Sequence, residues 1–145
     1  MKSVQKVTKV QLKTSPGHKD FLLGIVSTEP DYKLSLAINK EFRISLKNSS
    51  PLKTTDDKSC EILFSRFTDI SGSPDLIYNL ISNRSDKNYL LKKLKNVDFI
   101  LQVQDSENQT DLNQLSLSLR KIESINAVFI IDLNIIKEKN LQYLI

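Results

Sequence analysis

Apolar positions along this chain recur with two periods, and stretches of one alternate with stretches of the other. In KVTKVQLKT, Val10 and Leu12 alternate with polar neighbours, whereas DFLLGIVST is apolar almost throughout. The Ser15-Pro16-Gly17-His18 sequence between them is turn chemistry, so the pair predicts a β-hairpin. Near-continuous apolarity over Phe21–Val26 predicts a strand covered on both faces, and Gly24 inside it predicts close packing or a bulge. The period then changes. Leu34, Ala37, Ile38 and Phe42 fall at i, i+3, i+4 and i+8, which predicts a helix over 31–42. Thr28 and Asp31 are spaced as a capping-box-like pair at its start, with Pro30 in the first turn.

Residues 47–59, KNSSPLKTTDDKS, are polar and hold Pro51, which predicts an exposed irregular loop. After it CEILFSRF alternates again, the ISGSPD sequence turns, and LIYNLIS (76–82) reads as the antiparallel partner strand. In the last third, Ser85 is a candidate N-cap for a helix to Asn96, with Leu90, Leu91, Leu94 and Val97 on one face. VDFILQV follows as a strand with Val97, Phe99, Leu101 and Val103 facing one way. Thr110 and Asp111 open a further helix whose core face is Leu112, Leu115, Leu119 and Ile122. INAVFIIDL reads as a buried strand and NLQYLI as a terminal edge strand. The βαβαβ rhythm of residues 76–132 predicts some parallel pairing. The expected fold is therefore a single α+β domain over 1–145: a mixed β-sheet with about three helices packed on it, hairpins in its N-terminal half.

Composition adds limits rather than a new picture. A chain of 145 residues suits one core. Its net charge of +4 is unevenly spread. Lys2, Lys6, Lys9, Lys13 and Lys19 face only Asp20 within the first 20 residues, and Arg84, Lys87, Lys92, Lys93 and Lys95 face only Asp86 within 84–96. Such clusters attract nucleic acid or an acidic partner, and serve equally as solvated faces. The early lysines leave no apolar stretch for a signal peptide, and the longest apolar runs fall far short of the roughly 18 residues of a membrane span. Cys60 is the only cysteine, so no internal disulfide can form. A cytoplasmic location without membrane contact is the expectation.

The same counts limit the chemistry. One histidine, His18, and one cysteine, Cys60, supply neither a metal cluster nor a nucleophile–base pair. Gly17, Gly24 and Gly72 cannot compose a phosphate-binding loop. No cofactor, metal or catalytic residue is expected. Cys60, at the start of a strand, reads as a small core residue. Two carboxylates stand out, Asp98 and Asp132, each inside an apolar strand. Neighbouring strands would make them an acid/base pair; otherwise each faces solvent or binds a strand end.

Two stretches carry a resemblance. In LLKKLKNVDFIL (90–101), Leu91, Val97, Asp98 and Phe99 follow the spacing of I-P-E-x-x-x-V-D-Y, with Val97 and Asp98 matching and Leu91 and Phe99 replacing Ile and Tyr. In EPDYKLSLAINKEF (29–42), an acidic-Asp-Tyr opening at Asp31 and Tyr32 leads to an Asn39-Lys40 pair. Together they resemble the IPExxxVDY family, a small uncharacterised bacterial family. Lys92 and Lys93 stand where that family has Pro and Glu, so no role of that Glu transfers to Lys93. The resemblance implies a fold, not an activity.

The expectation that follows is a non-enzymatic protein-binding or adaptor module, with Asp31, Tyr32, Asn39 and Lys40 on the first helix, the 47–59 loop or the terminal strand as contact surface. The alternative is a nucleic-acid (RNA)-binding accessory protein that uses Arg84, Lys92, Lys93 and Lys95 on a lysine-rich helix together with the N-terminal lysines.

Overall fold

The computed structural model describes residues 19–69, 75–107 and 109–144. The expected strand KVTKVQLKT, the turn to His18 and the centre of the ISGSPD turn lie outside them.

The strand of greatest apolarity becomes an interior strand of the sheet, paired on both sides. Strand β1 (Lys19–Ser27) leads into helix α1 (Asp31–Phe42), and three strands follow: β2 (Lys47–Thr55), β3 (Glu61–Asp69) and β4 (Leu76–Ser82). A two-residue ribbon, β5 (Arg84–Ser85) and β6 (Asn88–Tyr89), and a 3-10 turn at Lys92–Leu94 come next. Strand β7 (Phe99–Asp105), helix α2 (Leu112–Arg120), strand β8 (Ile125–Ile131) and a 3-10 turn at Lys139–Tyr143 complete the chain. Among the described residues the main sheet has six strands in the order β2-β3-β4-β7-β1-β8, every neighbouring pair antiparallel.

Both faces of β1 are buried, as its composition demands. Leu23 and Ile25 join Leu34, Ile38, Leu119 and Val128 in the core beneath the two helices. Leu22 joins Phe64, Leu91, Val97, Ile100 and Leu144 on the opposite face. That second face is covered by irregular chain, residues 84–98 and 132–144, rather than by helices. Helix α1 ends in a left-handed Arg43, and Asn39 closes the following turn by accepting from Leu46 N at 2.6 Å. Helix α2 is capped by Asp111, which accepts from the N–H groups of Asn113 and Gln114.

Several expectations are corrected. Among the described residues the sheet is antiparallel, not mixed, and carries two α-helices rather than three. Strands β7 and β8 do run in the same direction, since each is antiparallel to β1, but β1 lies between them. The α2 crossover therefore joins parallel strands that never touch. Residues 47–59 are not an irregular loop: 47–55 form edge strand β2, and only 56–60 turn, held by Asp56 accepting from Lys58 N and Cys60 N. Pro51 is tolerated because it sits on an edge, where the register shifts between Ser49 and Leu52. Residues 85–96 form no α-helix, only a 3-10 turn at Lys92–Leu94. Among the described residues, 125–131 are an edge strand rather than a buried one, and residues 139–143 form a 3-10 turn rather than a strand. Thr28 and Asp31 do not form a capping box; Pro30 occupies the N-cap position with no side-chain cap bond. Cys60 is exposed, not core. Among the described residues no helix is long and apolar enough to cross a membrane.

Candidate functional site

The residues singled out by sequence divide into those that hold the fold and those that face outward. Asn83 explains the first group. It is fully buried between β4 and β5, and its Nδ2 donates to the carbonyls of Leu94 and Val97, each at 2.9 Å. Its Oδ1 accepts from Leu91 N at 2.8 Å. Its own N–H donates to Asp98 O, and its carbonyl accepts from Leu90 N. One side chain thus fastens residues 90–98 onto the sheet. Leu91, Val97 and Phe99 are buried in that arrangement. Asp98 Oδ2 accepts from Ser27 N at 2.9 Å, and its Oδ1 pairs with Arg84 at 3.0 Å. The signature positions are therefore explained by packing.

Asp98 and Asp132 are not brought together. Asp98 precedes Phe99, which pairs with Ile25, while Asp132 follows Ile131, which pairs with Leu22. They flank opposite sides of β1, offset by about five residues of strand, or roughly 16 Å at about 3.3 Å per residue. Among the described residues no group of three or more His, Cys, Asp and Glu side chains is placed to hold a metal ion.

The helix α1 candidates do not form one surface. Asn39 is committed to Leu46, and Asp31 accepts from Tyr32 N, leaving Tyr32 and Lys40 exposed. The lysine cluster is not the helical array expected. Arg84 is paired with Asp98, the Lys93 N–H donates to Glu138, and Lys95 Nζ lies 6.0 Å from the Tyr89 ring centre.

What sequence reasoning missed is the difference between the two sheet edges. Edge β2 carries Lys47, Lys53, Pro51 and a register shift, the devices that discourage strand addition. Edge β8, INAVFII, has no charge, no proline and no bulge beyond Val26–Ser27 at its start. Among the described residues it pairs on one side only, with β1. Phe129 and Ile130 on it are 45% and 46% exposed, and Ile135 just beyond is 73% exposed. A cavity of about 240 Å³ opens beside this edge, walled by Val97, Phe129, Ile131, Ile135 and Ile136. Arg120, from the end of α2, reaches the strand and donates to Val128 O at 3.3 Å. Arg120 makes no ion pair among the described residues.

A second cleft, about 530 Å³, lies between α1, α2 and the sheet, with Phe42, Tyr78 and Leu115 below a rim of Asp75, Glu107 and Asp111. Asp105 at its base is built into the fold. Burial raises its carboxyl, but hydrogen bonds from Thr110, Gln109 and Glu107 outweigh this and hold it below its ordinary value. Burial, with the charges of Asp105 and Asp69, pushes the Tyr78 phenol up. A depressed carboxylate contributes stability above its unfolded pKa, about 3.9, and that contribution is lost as pH falls through the lower folded value. Asp105→Asn should therefore show a flatter decline of urea midpoint between roughly pH 5 and the acid limb than the parent protein. Coincident slopes would mean that Asp105 does not carry the acid limb.

No family model, no curated protein and no solved structure matches this chain.

Proposed function

We propose that this chain is a non-enzymatic protein-binding module that accepts an extended segment of a partner protein as an added strand along β8. The observation that supports the reading is the contrast between the edges: one is blunted by lysines, proline and a register shift, and the other is uncharged and apolar. An exposed edge of this kind is an aggregation hazard in a free protein and an asset in one that is used covered. The cavity beside Phe129 suits one apolar side chain of the incoming segment, and Arg120 suits an acidic one.

Arg120 also favours a different protein over a second copy. Its guanidinium lies at Val128, near the middle of β8. Two-fold pairing about that point would set the two copies' Arg120 side chains against each other, and like charges facing across a strand pair destabilise it. Kinship with the IPExxxVDY family and a cytoplasmic location are proposed on the same footing, from the signature residues and the charge pattern.

Ile130→Lys tests the reading. A charge on this edge should leave the unfolding free energy within about 1 kcal/mol of the parent. Binding should weaken by roughly tenfold or more. The measurement is capture from nuclease-treated lysate, followed by titration of the captured partner's extended segment as a synthetic peptide. Equal affinity in the parent and in Ile130→Lys would overturn the proposal, as would capture that vanishes with nuclease. A parent that light scattering shows to be a dimer, made monomeric by Ile130→Lys, would assign the edge to a second copy instead.

A further inference from the structure

On the sheet face opposite the helices, the part nearer the β2 edge is polar because of its register. On the face shared with Phe64 and Ile100, the strands carry hydrophilic side chains towards the β2 edge. Ser49 Oγ lies 3.0 Å from Thr68 Oγ1, which donates to Asn79 Oδ1 at 2.7 Å. Asn79 Nδ2 donates to Gln102 Oε1 at 3.2 Å, and Gln102 Nε2 donates to Leu144 O near the C-terminus. A single hydrogen-bonded line thus crosses β2, β3, β4 and β7. Such a line fixes the rotamers of its members and presents a preset polar floor.

Over the Ser49, Thr68 and Asn79 part of that line lies a cavity of about 660 Å³, a volume within the range of small-molecule sites. Among the described residues its lining includes two cations, Lys47 and Arg66, and no carboxylate. The nearest acidic position in register is Asp20, paired with Gln104 on β7, and Asp20 does not line the cavity. Arg66 is held in place by its Nε, which donates to Ser50 O at 2.9 Å, so its Nη groups are directed by a fixed fork. Asn48 and Gln104 add amide groups, and Ile77 is the lone apolar patch.

We infer that this cavity binds a small phosphorylated sugar. Two cations without a neutralising carboxylate match a dianion; a monocarboxylate would leave one of them unpaired. Arginine's fork suits a phosphate oxygen pair, with lysine as the second point charge. Amides and hydroxyls suit a polyol, and Ile77 suits the C–H face of a sugar ring. A purely apolar ligand would leave this lining unsatisfied.

Titration calorimetry with ribose 5-phosphate, ribose and inorganic phosphate tests the assignment on the intact chain. Ribose 5-phosphate should bind saturably and weaken with added salt, inorganic phosphate should bind less tightly, and ribose should give no saturable heat. Arg66→Gln should weaken ribose 5-phosphate roughly tenfold or more, the loss of a charge-assisted hydrogen-bond pair. Lys47→Gln, on an exposed edge position that the fold does not need, should weaken it by a smaller factor and covers the case in which Arg66→Gln does not fold. The absence of saturable heat at millimolar ribose 5-phosphate, or an affinity unchanged in both variants, would overturn the inference. Tighter binding of a single-stranded RNA oligonucleotide than of ribose 5-phosphate would overturn it too, assigning the groove to a nucleic-acid backbone.

Discussion

Replacing Asn83 by alanine is expected to cost about 3–5 kcal/mol of folding stability, a large part of the total for a domain of this size. Alanine removes both donors and the acceptor of a side chain with no solvent exposure. The Leu91 N–H and the carbonyls of Leu94 and Val97 then lose their partner. Each orphaned buried group costs about 1–3 kcal/mol, less whatever water recovers by entering the gap. The consequence is not confined to one residue. The segment that Asn83 fastens carries Leu90, Leu91 and Val97, three side chains of the core cluster on that face. Asn83→Asp should be no milder, since it keeps the acceptor, loses both donors and adds a charge in a buried place. Urea unfolding followed by circular dichroism measures both variants. A loss under about 1 kcal/mol for Asn83→Ala would mean that the segment is held by apolar contact alone.

This residue also marks where sequence reading ran out. Residues 31–42 and 112–120 were legible as helices because their apolar positions keep one face, and the structure ends the first at the residues expected. Residues 85–96 imitate that pattern, since Leu90, Leu91, Leu94 and Val97 fall at helical spacing. The spacing arises differently: Leu90 and Leu91 are fixed by Asn83 on an extended stretch, and a 3-10 turn then returns the chain to Val97. A periodicity argument has no means of seeing a partner outside its window. Residues 47–55 failed for the opposite reason. An edge strand has few inward positions, here Leu52 and Thr54, so its composition resembles a loop. Edge or centre is a property of topology, which is why INAVFII reads as buried while the described residues pair it on one side only. The charge and proline on β2 were visible in the sequence as edge signals, but they gain meaning only once β8 is known to lack them. The polar line from Ser49 to Gln102 depends on four strands in register and leaves no local pattern.

Gly24→Ala is expected to destabilise the protein by a net of about 1–2 kcal/mol, and the loss should shrink when Val97 is shortened as well. Glycine in a strand interior is unfavourable by about 0.5–1 kcal/mol, so alanine would stabilise this position if space allowed. Space does not allow it. A Cβ on Gly24 would lie 2.9 Å and 3.2 Å from the two methyl groups of Val97, and 3.6 Å from Ile131 Cδ1. Val97 cannot swing aside, because a β-branched side chain has little rotamer freedom and its backbone is held at both ends. Its N–H donates to Leu94 O, and its carbonyl accepts from Asn83. Overpacking of this kind costs about 1–3 kcal/mol, which exceeds the gain from removing the glycine. Val97→Ala alone leaves a void and costs stability for its own reason. In the double variant the new methyl group occupies part of that void, so its loss should fall short of the sum of the two single losses by about 1 kcal/mol or more. Urea midpoints for the parent, both single variants and the double variant give that coupling. Strict additivity would show that the sheet shifts to admit the methyl group, and that the close approach of residues 90–98 to β1 is not what excludes a side chain at Gly24.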